Sequence, residues 1–135
     1  MKYKFLKHTA DAKFQAYGKT IEESFANAAL AMFSVMTDIK RIKPKIKKEL
    51  HIKGIDQKQL LYNFLEEFLF LMDAEFLLLS KIEKIEIKDN ELNAVAFFDK
   101  ADKYETHGDV KAVTYQQMEI KKEKDKFIVQ VVVDV

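Results

Sequence analysis

Tyr3-Lys4-Phe5-Leu6-Lys7 and Phe14-Gln15-Ala16-Tyr17 alternate apolar and polar side chains, and His8-Thr9-Ala10-Asp11-Ala12 lies between them. Alternation of period two marks half-buried strands, so the chain opens with two strands and sets a histidine and an aspartate at the bend joining them. The other end of the chain has the same character. Phe127-Ile128-Val129-Gln130-Val131-Val132-Val133 is rich in β-branched residues and runs into Asp134 and Val135. Strands at both ends with helical patterns between them predict an α+β fold. The expected architecture is a single domain, residues 1–135, of largely antiparallel β-sheets with two amphipathic helices packed on them.

The first helix announces itself at Thr20-Ile21-Glu22-Glu23, a capping box in which the threonine oxygen accepts from the backbone of Glu23 while the glutamate reaches back. Ile21, Phe25, Ala28, Ala29, Met32, Phe33 and Met36 then recur at helical spacing, which is a core-facing stripe. Asp56, with Gln59 three residues on, caps the second. Leu60, Leu61, Phe64, Leu65, Phe68, Leu69 and Met72 give it a broad apolar face, leaving Asn63, Glu66, Glu67 and Asp73 to a solvated one.

Between the helices, residues 40–48 form the most basic stretch. Clustered lysines can track phosphates, but no aromatics interleave them, and lysines with a proline also guard an edge strand. Ile46, Leu50 and Ile52 then fall on one side of a strand and Lys47, Glu49, His51 and Lys53 on the other, which makes His51 a solvated edge residue. After the second helix, residues 81–88 alternate, Asp89-Asn90 fits a tight turn, and Leu92, Ala94, Ala96 and Phe98 share one face of the return strand. Residues 99–109 are expected to form a polar connection carrying His107-Gly108-Asp109, before strands over 110–120 and 127–133.

Composition narrows the function classes. With 48% apolar and 33% charged residues the chain can bury a core and is not of a disordered type. It has no cysteine, which removes disulfides, thiolate metal sites and a cysteine nucleophile, and fits a reducing compartment. A net charge of +1 does not by itself mark a nucleic-acid binder. Lys2, Lys4 and Lys7 interrupt any leader-like apolar block, and the uncharged run 68–72 is far below the about 20 residues that span a bilayer. A cytoplasmic protein with no membrane partner is expected.

The residues leave two readings for the chain ends. Asp134 terminates a very apolar strand, and such a carboxylate has either a partner or a solvated edge. If the last strand meets the bend, Asp11, Asp134 and the carboxyl of Val135 approach one another and call for a cation between them. Oxygen-only ligation favours a hard cation, Ca²⁺ first and Mg²⁺ second. In the alternative, the terminus is frayed and Asp134 stands in water. His8 and His107 are further candidates, but His8-x-x-Asp11 matches no strong metal signature. There is no Gly-x-Ser-x-Gly, and Ser24, Ser34 and Ser80 sit in helical or turn contexts, so self-contained catalysis is not expected. Lys111 is the sole charge in Val110-Lys111-Ala112-Val113-Thr114-Tyr115 and is either a snorkelling strand residue or part of a partner-facing surface.

Taken together, these segments resemble the archease family. The resemblance rests on His8-Thr9-Ala10-Asp11, Ala16-Tyr17-Gly18-Lys19-Thr20, and Phe25-Ala26-Asn27-Ala28-Ala29 leading to Met36-Thr37-Asp38. It continues through Leu60-Leu61-Tyr62-Asn63-Phe64-Leu65, Val110-Lys111-Ala112-Val113-Thr114-Tyr115 and Val133-Asp134-Val135. It implies a non-catalytic accessory protein of the GTP- and manganese-dependent RNA-splicing ligase that rejoins tRNA exons, promoting guanylylation and repeated turnover. It also implies, as an alternative, a chaperone or modulator of a tRNA cytosine methyltransferase. A stand-alone metal-dependent hydrolase is the third class. By position, the resemblance implies cation ligands at Asp11, Asp134 and Val135, a partner-activating lysine at Lys111, and Asp38 as a further candidate; tRNA would be reached through the partner. Two positions depart from the family pattern: Phe98-Asp99 stands where a Gly-Glu pair is frequent, and Gln116 where a histidine is frequent.

Overall fold

The structure, a computed structural model, describes residues 1–7 and 11–135. His8, Thr9 and Ala10 lie outside the described residues, and with them the expected role of His8. Strand β1 (Tyr3–Leu6) pairs antiparallel with β2 (Ala12–Gly18), setting Phe5 opposite Phe14. Helix α1 (Ile21–Ser34) starts at the predicted capping box. The Thr20 hydroxyl accepts from Glu23 N at 3.1 Å, and the Glu23 carboxylate accepts from Lys19 N at 2.9 Å, one residue before the cap. Gly18 is required at this corner, since a Cβ there would come within 2.4 Å of Ser24 N. Helix α2 (Gln57–Glu75) repeats the device: Asp56 accepts from Gln59 N and the Gln59 side chain accepts from Ile55 N, both at 2.8 Å.

The remaining strands are β3 (Ile46–Lys53), β4 (Leu77–Lys88), β5 (Glu91–Lys100), β6 (Ala112–Glu123) and β7 (Lys126–Asp134). They form two antiparallel sheets, one ordered β1-β2-β7-β6 and one ordered β3-β5-β4. Helix α1 touches β2 and β7 of the first sheet and β4 of the second, while α2 touches β6 of the first and β3, β4 and β5 of the second. The helices are therefore the middle layer between two sheets, and α+β is the fold class. Phe25, Phe33, Phe64, Phe68 and Phe98 are fully buried in that layer and against it. Phe68 meets Phe64 and Phe33 edge-on, at 4.9 and 6.0 Å between ring centres. Burial of each such ring contributes about 1.5–3 kcal/mol.

Three expectations change. Strand β4 begins at Leu77 rather than 81, because the helix is stopped at Phe76 by a left-handed residue (φ 57°) and the chain enters the sheet at once. The segment expected as a polar connection from 99 is strand up to Lys100, and Asp99 is only 2% exposed. Its carboxylate is satisfied locally: it accepts from Tyr104 Oη at 2.7 Å and from Lys100 N at 2.9 Å. Glu66 is not on a solvated face. It is half-buried and accepts from Val113 N at 3.0 Å, closing a backbone donor on the outer edge of β6.

Candidate functional site

Strand β7 lies between β2 and β6, and the two registers bring the start of β2 and the C-terminal residues to one end of the sheet. Ala12 is opposite Val133 and Ala112 is opposite Asp134. Continuing each register by one residue sets Asp11 opposite Asp134, and Lys111 opposite Val135. Phe14 and Ala16 on β2, and Val129, Val131 and Val133 on β7, face the core. By alternation Asp134 projects from the other face, and Asp11 is the bend residue that leads into β2 at the same end of the sheet. Directly opposed strand residues have Cβ atoms about 4.5–5.5 Å apart, and like charges there repel. Asp11 is half-buried and Asp134 exposed.

Lys111 joins the same edge through its backbone, its N–H donating to the Asp134 carbonyl at 2.7 Å. Its side chain is exposed and alternation sends it to the core-side rim, opposite in face to the two carboxylates. The edge thus carries paired acids on one side and an ammonium on the other. Beyond Thr114 the ladder breaks: Thr114 pairs with Val132 but the next pair is Glu119 with Gln130, so residues 115–118 bulge from the sheet. Gln117 takes a positive φ of 53° there, and Tyr115 is thrown outward, half exposed and stacked on Tyr62 of α2 at 4.3 Å. Burial against that ring, then the nearby Tyr62 and Asp56, raise the Tyr115 hydroxyl above its ordinary pKa.

A family model, the Archease protein family, matches residues 3–135. The chain belongs to the archease family. Protein archease of Sulfurisphaera tokodaii is 40% identical over 137 residues, covering 99% of each chain. Protein archease of Methanosarcina barkeri is 43% identical over 141 residues, covering 98% of this chain and 95% of the relative. Among solved structures, the solution structure of protein 1598 from Methanobacterium thermoautotrophicum superposes with a TM-score of 0.85 at 40% identity and 99% coverage of both chains. A Thermotoga maritima crystal structure, described as an archease and possible chaperone, has a TM-score of 0.66 at 20% identity over 96% of this chain and 94% of that one; it shares the fold.

In this archease-family chain the other candidates are placed as follows. Asp38 caps the short 3-10 turn Ile39–Arg41: one carboxylate oxygen accepts from Lys40 N at 3.2 Å and the other lies 3.7 Å from Arg41. His107 is tied through its backbone, N–H to the Met36 carbonyl at 2.9 Å, and its ring is exposed. No group of three or more His, Cys, Asp or Glu side chains gathers among the described residues, and two aspartates with main-chain oxygens would offer oxygen donors alone. That all-oxygen chemistry fits a hard cation and does not fit zinc. Sequence reasoning missed Glu66 because a helix between two sheets buries more than one stripe. It missed the Asp99–Tyr104 pair because its members looked like loop residues. Tyr104 is the chief cause holding the Asp99 carboxyl below the ordinary carboxylate pKa, while Asp99 in turn raises the tyrosine. No helix among the described residues is long and apolar enough to cross a membrane.

Proposed function

We propose that this chain is a non-catalytic, cytoplasmic accessory protein of the GTP-dependent RNA-splicing ligase, promoting its guanylylation and multiple turnover in tRNA splicing. The observation that carries the reading is the register that sets Asp11 beside Asp134 at the edge where Lys111 is bonded. Asp11, Asp134 and main-chain oxygen at Val135 would hold a divalent cation, calcium before magnesium, which would neutralise the facing acids. Lys111 would contact the ligase from the rim beside it. The serines support a non-catalytic role. Ser24 and Ser34 donate to the carbonyls of Ile21 and Ala31 within α1, and Ser80 donates to the Ile42 carbonyl, so each hydroxyl is engaged with backbone.

The test is ligation of tRNA halves by the ligase under single- and multiple-turnover conditions with Asp11→Ala, Asp134→Ala and Lys111→Ala. Loss of multiple turnover with single turnover largely kept is the expected result. Unchanged stimulation by all three variants removes this edge from the mechanism. A second reading, a chaperone-like modulator of a tRNA cytosine methyltransferase, draws on the description of the Thermotoga protein and on exposed Ile55, Phe70 and Phe76. It predicts sharper methyltransferase site selection and no effect on ligation.

A further inference from the structure

At the other end of β2 from Asp11, a groove of about 870 Å³ opens beside Tyr17 and Gly18. Five lysines line it: Lys2, Lys19, Lys40, Lys81 and Lys126. They come from the N-terminal segment, the β2–α1 corner, the 3-10 turn, β4 and β7, so the groove is assembled by the tertiary fold and no stretch of sequence displays it. All five are exposed, and none is in an ion pair among the described residues, whereas Lys48, Lys53, Lys84, Lys103 and Lys121 all have carboxylate partners. Glu23 is the acidic residue of the lining, and one of its oxygens is committed to Lys19 N. The chain as a whole carries +1. A cluster this one-sided in a near-neutral protein repels itself and focuses a positive potential into the groove.

Beneath that rim the floor is apolar, with Ala26, Leu30, Ile39 and Ile82. We propose that this groove binds single-stranded nucleic acid through its phosphate backbone, with unpaired bases lying on the apolar floor. Lysines suit this ligand because a point charge on a flexible stem tolerates variable phosphate positions and demands no base sequence. Acidic side chains would compete for the same lysines, and the polyglutamate comparison below decides between the two ligands. The groove lies along β2 at roughly 20 Å from the carboxylate edge, taking about 3.4 Å per strand residue. The proposal does not rest on the ligase reading.

The test is fluorescence anisotropy of the whole protein with a labelled oligouridylate of about ten nucleotides, a length within the range of single-strand sites. With one phosphate per groove lysine, the logarithm of affinity should fall with log salt at a slope of about −3.5, so binding weakens about a hundredfold between about 50 and 200 mM salt. Lys19→Glu with Lys81→Glu should flatten the slope to about −2 and weaken low-salt binding at least about tenfold. Lys47→Glu with Lys58→Glu, at exposed positions outside the groove, should leave both unchanged. Binding of an oligothymidylate of equal length with the same slope supports backbone recognition. No binding at low salt, equal effects of the two double variants, or equal binding of a polyglutamate of matched charge would each overturn the proposal.

Discussion

Asp134→Asn separates the two readings of the carboxylate edge because its effect on stability should change sign with the cation. Two carboxylates on directly opposed residues sit about 6 Å apart, where at the dielectric of a wet surface they repel by about 0.7 kcal/mol. Screening at about 0.1 M salt leaves about 0.4 kcal/mol. In chelator at neutral pH the asparagine variant should therefore be more stable than the parent by about 0.4 kcal/mol, a rise of about 1–2 °C in midpoint for a chain of this size. Calcium reverses the order. At a hundredfold excess over its dissociation constant a ligand of the folded state alone adds about 2.7 kcal/mol, and the variant, lacking one of two carboxylate ligands, should gain little of it. Thermal and urea melts of both proteins, with chelator and with millimolar calcium, read the crossover directly. A variant no more stable than the parent in chelator, with the same calcium shift as the parent, would refute the facing-carboxylate geometry.

Glu66→Ala should cost about 1 kcal/mol in urea unfolding, because it leaves the Val113 N–H on the β6 edge without its side-chain acceptor; no loss would show that water replaces it freely. Tyr104→Phe gives a pH signature. Asp99 is depressed below 3.8 in the folded protein chiefly by Tyr104, so its stabilisation is present above that value and lost as pH falls through the lower folded pKa. Tyr104 is raised above 10.0 chiefly by Asp99, so its share is present below that value and lost as pH rises through the higher folded pKa. The stability gap between parent and variant should be widest between about pH 4 and 10 and narrow at both ends. A gap independent of pH would mean the hydroxyl acts only through packing.

Features that depend on a few neighbouring residues were legible in the sequence. Thr20 and Asp56 cap their helices because a side-chain oxygen three residues before an N–H is a local geometry. Asp89 and Asn90 take φ of 52° and 60°, the left-handed pair that a two-residue hairpin turn requires. The alternation of residues 46–53 places Leu50 and Ile52 inside and His51 at the edge as expected. Features requiring distant partners were not legible. The start of β4 is a continuous apolar run, Leu77-Leu78-Leu79, which helix and strand share equally by periodicity. The β6 bulge contains no glycine or proline to punctuate it, and its positive φ falls on Gln117. The lysine groove draws on five separated segments, and only Lys40 belongs to the basic run that drew notice. That Asp134 and the start of β2 reach the same end of the sheet depends on the β2–β7 register, which the sequence does not display.

A run of side-chain hydrogen bonds crosses the face between the two ends. Lys13 donates to the Gln117 side chain at 2.6 Å, and the Gln117 carbonyl accepts from Gln130 at 2.8 Å. Gln130 accepts from Gln15 at 3.0 Å, and Gln15 accepts from the Tyr17 hydroxyl at 3.1 Å. Lys126 of the groove then lies over the Tyr17 ring, 4.9 Å from its centre. Gln130, 8% exposed, has partners for both its amide nitrogen and its oxygen, so its burial carries no unpaired polar atom. Three glutamine amides thus link β2, β6 and β7 across this face, between the Lys13 ammonium and the Tyr17 hydroxyl. Any coupling between the two ends through the sheet would require this run of bonds to adopt a second arrangement.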